Sequence, residues 1–200
     1  MLILAFDTAT DVATVALVRD GDVLGERATR AVRLLEDLEQ LLGSAGLRAE
    51  DVDGIAVGTG PGSYTGLRMG LITARTLALS LGVPVAGVST LAALAAGAPG
   101  AVPVIDGKRS ELFTWDDAGE PCCLPAGALA IEPGRTYVGD GAVRYRETIE
   151  ASRGVVPPDE AEEHVPWARH HARLATDFGA AEAAEPIYLR LPDAERAIAR

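Results

Sequence analysis

Four glycines fall within nine residues at Gly58-Thr-Gly60-Pro-Gly62-Ser-Tyr-Thr-Gly66, and this run constrains the chain more than any other. It joins a buried-type strand, Asp53 to Val57, to an Ala-, Leu- and Gly-rich helix from about Thr65 to Leu81. Glycines spaced this way expose backbone N–H groups ahead of a helix N-terminus, where the helix dipole favours an anion. They also permit a tight turn that lets the helix pack closely, and spacing does not choose between the two. The common nucleotide and nucleophile loops are excluded. Walker A needs a lysine that is absent, the dinucleotide fingerprint needs glycine where Ser63 stands, and G-x-S-x-G fails because the order is Gly-Ser-Tyr-Thr-Gly.

The surrounding pattern predicts an α/β lobe. Leu2 to Phe6 is an apolar strand ending at Asp7, Val12 to Val18 a second, and Val23 to Ala28 a third after the Asp20-Gly21 turn. Leu34, Leu35, Leu38, Leu41 and Leu42 recur at helical spacing. A strand over Pro84 to Val88 and a Ser89-capped helix to about Ala96 complete the order β-β-β-α-β-α-β-α. The opening then recurs. Val102 to Ile105 is an apolar strand ending at Asp106, followed by a strand over Glu111 to Trp115 and a turn at Asp117-Ala-Gly119. Two related lobes are expected, 1–100 and 101–200, with the second degenerate. It offers a Pro/Gly-rich stretch (119–134), a strand at Tyr137-Val138, helices near 142–151 and 167–178, a terminal strand over Glu185 to Arg190, and fraying over 193–200.

Composition narrows the function. Eighteen basic against 29 acidic side chains give a net charge of −11, which disfavours a protein that grips nucleic acid unaided. Lys108 is the single lysine, against a Lys-dependent phosphate loop or Schiff base. Cys122 and Cys123 are adjacent and outside any C-x-x-C spacing, which fits a reducing compartment. No apolar run approaches the ~18 residues of a membrane span, so a cytoplasmic protein is expected. His164, His170 and His171 cannot form an i,i+4 metal pair and read as solvated helix histidines. Asp7, Thr8, Thr10, Gly60, Gly62, Ser63 and Asp106 make a candidate nucleotide or anion cleft between twin lobes, and read equally as turn formers and caps. The helix from Thr65 to Leu81 is apolar beyond one face, so it is buried on two sides, either within its lobe or against a partner.

The segments Ile3-Leu-Ala-Phe-Asp7-Thr-Ala-Thr10, Gly60-Pro-Gly-Ser-Tyr-Thr-Gly-Leu-Arg68, Gly87-Val-Ser-Thr-Leu91, Asp106-Gly-Lys-Arg-Ser-Glu111 and Glu185-Pro-Ile-Tyr-Leu-Arg190 together resemble the TsaB (YeaZ) family. The resemblance spans nearly the whole chain, and its most specific part is the Gly60–Arg68 segment. It implies an ASKHA (actin/sugar kinase/Hsp70-like) fold of two RNase H-like lobes. It also implies a non-catalytic scaffold in the bacterial machinery that installs N6-threonylcarbamoyladenosine in tRNA. In that family catalysis is on TsaD, TsaE is the associated ATPase, and tRNA is met only through the complex. Neither cofactor nor metal is implied for this subunit. The family interface would fall on Leu34, Leu35, Leu38, Leu41, Leu42, Leu67, Arg68, Leu71, Ile72 and Arg75, also available for a homodimer when the chain is alone. Leu38→Glu or Leu71→Glu is then expected to abolish association and spare the fold. Thr29 to Arg33 departs from the family in lacking a His-Ser pair. The alternative is a small ASKHA-fold ATPase or kinase with its own nucleotide site, for which ~300 residues and a second phosphate loop would be expected.

Overall fold

A computed structural model describes residues 1–190, and the expected fraying over 193–200 lies outside the described residues. The first lobe is a five-stranded sheet, β1 (Leu2–Asp7), β2 (Ala13–Arg19), β3 (Asp22–Thr29), β4 (Gly54–Gly60) and β5 (Val85–Ser89), in the order β3-β2-β1-β4-β5. β1, β2 and β3 pair antiparallel, while β4 and β5 join in parallel. The connecting helices are α1 (Leu34–Ser44) and α2 (Tyr64–Leu81), and α3 (Thr90–Gly97) leads into the second lobe.

Strand periodicity assigns the two faces of this sheet. Leu2, Leu4 and Phe6 of β1 point into a core with Leu34, Leu38, Leu41 and Leu42 of α1 and with Leu71, Ala74 and Ala78 of α2. The alternate residues Ile3 and Ala5 join Ala16 and Ala56 on the other face, where Ala168 and Ala172 cover them. Small side chains on both sides let that covering helix lie close to the sheet.

The second lobe repeats the plan in reduced form. Its strands are β6 (Val102–Pro103), β7 (Ile105–Lys108), β8 (Glu111–Trp115), β9 (Pro121–Pro125) and β10 (Tyr137–Val138). β7, β8 and β9 form an antiparallel meander, and β10 pairs with β6 in parallel. Taking β6 and β7 as one interrupted strand, this is the β3-β2-β1-β4 half of the first sheet. No counterpart of β5 or α1 occurs among the described residues.

Several details differ from the sequence expectation. The Pro/Gly-rich stretch holds β9, whose terminal prolines hid it; prolines are tolerated there because β9 is an edge strand. The helix near 142–151 is two short ones, α4 (Asp140–Arg144) and α5 (Arg146–Ala151), and that near 167–178 is only α6 (Ala168–Leu174). Glu185 to Arg190 is not a strand. It is an extended strap in which Ile187 N–H donates to Thr59 O at 2.8 Å, and Pro186 has no N–H with which to continue a ladder. A division at residue 100 does not follow the packing either. α6, from the second half of the chain, is the helix that covers the first sheet, and Ala181 and Ala184 enter the first core.

The glycine run fixes α2 against the β1–β2 turn. A Cβ on Gly62 would lie 2.3 Å from Ala9 O, one on Gly66 2.0 Å from Thr8 O, and one on Gly70 2.4 Å from Thr8 Oγ1. Such distances leave no room for a side chain, because backbone cannot yield as a flexible side chain can. Gly66→Ala is expected to destabilise the chain by about 1–3 kcal/mol in urea titration. Gly43→Ala, in α1 with nothing within 4 Å of the added carbon, is expected to stabilise it by about 0.5–1 kcal/mol.

Candidate functional site

Asp7 ends β1 and is fully buried. Its Oδ1 accepts the Ala9 N–H at 2.6 Å, and Oδ2 accepts the Thr90 hydroxyl at 2.7 Å. His171 of α6 brings Nε2 to 2.8 Å from the same Oδ2, an electrostatic contact off the line of an aligned hydrogen bond. Burial pushes the Asp7 carboxyl up, but the close contact with His171 and the hydrogen bonds from Thr90 and Ala9 outweigh it and hold the pKa below the ordinary carboxylate value. Gly58 closes the remaining side, since a Cβ there would lie 2.0 Å from Oδ2. Asp7 is thus sealed inside the first lobe.

Other members of the predicted cleft separate in the same way. Thr8 is buried and donates its hydroxyl to Gly66 O at 2.7 Å. Gly60 lies under Leu67. Thr10, Gly62, Ser63 and Asp106 do line a cleft between the lobes, about 220 Å³ in volume. Ser63 N–H donates to Ala9 O at 2.7 Å, and its hydroxyl accepts Gly66 N–H at 3.3 Å as the cap of α2. The Ser63 and Gly66 N–H groups are therefore engaged with the β1–β2 turn and the helix cap. Close packing is one role the glycine run plainly has.

What the cleft holds is charge that spacing did not reveal. Lys108 Nζ lies 2.9 Å from Asp11 Oδ2 and 3.2 Å from Asp106 Oδ2, and Arg144 Nη1 reaches Asp106 Oδ2 at 3.4 Å. Asp140 Oδ1 accepts the Asp106 N–H at 2.9 Å. Burial, with the Asp106 charge beside it, pushes the Asp140 carboxyl up to about 6. Arg190, at the end of the strap, binds Gly107 O at 2.6 Å and Glu111 Oε2 at 2.9 Å. Only the recurring strand end at Asp106 was a signal for this cluster; Asp11, Lys108, Asp140 and Arg190 reach it through turns and a strap with no local pattern.

The histidines also depart from expectation. His164 is buried and accepts the Gly139 N–H on Nδ1 at 3.1 Å, and His171 is the buried partner of Asp7. Burial and its cationic neighbours push His170 down to about 4. Among the described residues no cluster of His, Cys, Asp and Glu could hold a metal ion, and no helix is long and apolar enough to cross a membrane. Burial and the Asp116 charge push the Cys122 thiol up, the unreactive direction.

The helical face sorts into core and surface. Leu34, Leu38, Leu41, Leu42, Leu67 and Leu71 are buried in the lobe's own core, which corrects the expectation that all of them face a partner. Leu35 is 60% exposed and Ile72 63%, and Leu79 (72%) and Val32 (84%) are bare apolar side chains as well. A groove of about 500 Å³ between α1 and α2 is lined by Leu35, Leu38, Leu42, Leu47, Leu77 and Leu81. Arg68 is exposed with its guanidinium over the Tyr64 ring at 4.3 Å. Arg75 is committed to the strap, donating to Ala184 O at 2.8 Å.

Repeated lobes, an aspartate in the first strand of each (the last residue of β1 at Asp7, but inside β7 at Asp106, where a strand end was expected) and a cleft between them define a protein of the ASKHA fold. Residues 16–121 match the family model described as TsaD, tRNA N6-adenosine threonylcarbamoyltransferase. An uncharacterised Mycobacterium tuberculosis protein is 35% identical over 96% of this chain and 93% of its own length. The tRNA threonylcarbamoyladenosine biosynthesis protein TsaB of Escherichia coli is 41% identical over 56% of this chain and 53% of its own. The structure of YeaZ from Pseudomonas aeruginosa matches with a TM-score of 0.76 and 30% identity, covering 94% of this chain and 99% of that one. The chain belongs to the TsaD-type threonylcarbamoyltransferase family and, within it, to the TsaB/YeaZ branch.

Because the Asp7 pKa is lower folded than unfolded, its stabilising contribution is complete above the ordinary carboxylate pKa of about 4 and is lost as pH falls through the folded value. Asp7→Asn is expected to cost roughly 3–5 kcal/mol at neutral pH, the penalty for breaking a buried pair. Urea midpoints measured against pH should show that gap narrowing below about pH 4.

Proposed function

We propose that this chain is the non-catalytic scaffold of a tRNA threonylcarbamoyladenosine machinery. It pairs with a TsaD catalyst through the outer face of α1 and α2 and supports the TsaE ATPase on that pair. The observation that carries this reading is the bare apolar face. Leu35 stands exposed on the rim of the open groove, and Ile72 and Leu79, seven residues apart on one face of α2, are also exposed, apolar surface that a lone domain gains nothing by displaying. A second observation agrees with it: the strand-end carboxylate at Asp7 is sealed under Thr90, Ala9 and His171, turned away from any ligand in the cleft. The kinase or ATPase alternative needs such a group open to the cleft. A net charge of −11 fits a subunit that leaves tRNA to its partner.

Co-purification with TsaD, followed by reconstituted tRNA modification with and without this chain, tests the proposal. Ile72→Glu and Leu79→Glu are expected to weaken association at least about tenfold while leaving the melting curve unchanged, since both side chains are already in water. Leu38→Glu, placing a charge in the core, is expected to unfold the lobe instead. Unchanged pull-down by both surface variants overturns the interface.

A further inference from the structure

The proposed function leaves the charged cleft between the lobes unused, although the fold is strained to build it. Lys108, Arg109 and Ser110 all have positive φ, at 60°, 53° and 61°, a conformation that non-glycine residues adopt only where the surrounding structure holds them. That turn carries the single lysine across the cleft, where its Nζ bridges Asp11 of the β1–β2 turn and Asp106 of β7. The hydrogen bond to Asp11 raises the Lys108 pKa and so keeps the ammonium charged.

Among the described residues, the charged groups gathered at this point come from five segments: Asp11 from the β1–β2 turn, Asp106 and Lys108 from β7, Glu111 from β8, Asp140 and Arg144 from α4, and Arg190, paired with Glu111, from the strap. Asp140 is the odd member. Its carboxyl is mostly buried beside Asp106, accepts one backbone N–H and, among the described residues, has no cation at ion-pair distance.

We propose that Asp11, Lys108, Asp106 and Asp140 form a pH-dependent clasp between the lobes, closed while Asp140 carries its proton and loosened when it ionises. With Asp140 neutral, the carboxylates of Asp11 and Asp106 balance the cations of Lys108 and Arg144. Ionisation adds a third negative charge next to Asp106. That charge draws the Lys108 ammonium into the second lobe, away from Asp11, and repels Asp11 directly. The change is centred at about 6, where Asp140 titrates, so the clasp loosens as pH rises through the neutral range. The device concerns the cleft and stands or falls independently of the partner-binding face.

Hydrogen exchange on the full chain tests it. Amides of residues 9–12, 62–65 and 106–110 are read at about pH 5 and about pH 7.5, corrected for intrinsic rates, with β1 and β4 as internal standards. In the native chain, protection of the cleft segments is expected to fall about fivefold between the two conditions, the scale of one partly exposed ion pair. Asp140→Asn keeps the acceptor for the Asp106 N–H and should stay at the low-pH level throughout. Lys108→Met should show the low protection at both. The clasp is refuted if Asp140→Asn follows the native pH profile, or if Lys108→Met retains native protection.

Discussion

The contact between the Asp7–Ala9 turn and the glycines of β4 and α2 holds the rest of the first lobe in place. Thr8 O, Thr8 Oγ1 and Ala9 O all sit where Cβ atoms of Gly66, Gly70 and Gly62 would otherwise be. That approach sets the height of α2 above the sheet and so turns Leu71, Ala74 and Ala78 into the core. It also presses Gly58 against the Asp7 carboxylate and leaves Ser63 as both helix cap and cleft wall. A single close backbone packing therefore decides helix position, the sealing of one carboxylate and the shape of the cleft.

The aspartates of the two opening strands show how one motif takes different chemistry from its surroundings. Asp7 is enclosed by its own lobe and supplied with a buried counter-group, His171, by a helix from the far end of the chain. Asp106 lies inside β7 of the reduced lobe, two residues before that strand ends, and meets Lys108, Arg144 and Asp140 at the cleft. The first arrangement is a stabilising network, since a buried carboxylate with three partners is costly to disturb. The second sets a buried Asp106 against half-exposed Lys108 and exposed Arg144 at the cleft.

Helix α2 shows the same division between what a pattern states and what packing resolves. Its apolar content beyond one face signals burial on two sides; in the structure Leu67 and Leu71 are buried in the core, while Ile72 and Leu79 are exposed. Periodicity could not say which leucine served which side. Leu38 and Leu71, natural choices for a partner surface, are core residues, because the α1 stripe and the inner α2 stripe face the same sheet. Arg75 was equally ambiguous: it donates to Ala184 O, just ahead of the strap, a contact that the strand expected over Glu185 to Arg190 gave no sign of.

By itself the sequence determined the strand and helix order of the first lobe, the recurrence around Asp106, the placing of the glycine run Gly58 to Gly66 between a strand and a helix, and the family resemblance. These are local properties: side-chain period, turn chemistry and the absence of a Cβ act within a few residues and survive in the linear string. Tertiary structure alone decided that Asp7 is sealed, that His171 is its partner, that α6 and the strap return to the first lobe, and that Lys108 spans the cleft. Each of those joins residues distant in the chain, and their energies come from desolvation and charge pairing, which exist only once the lobes have brought the groups together.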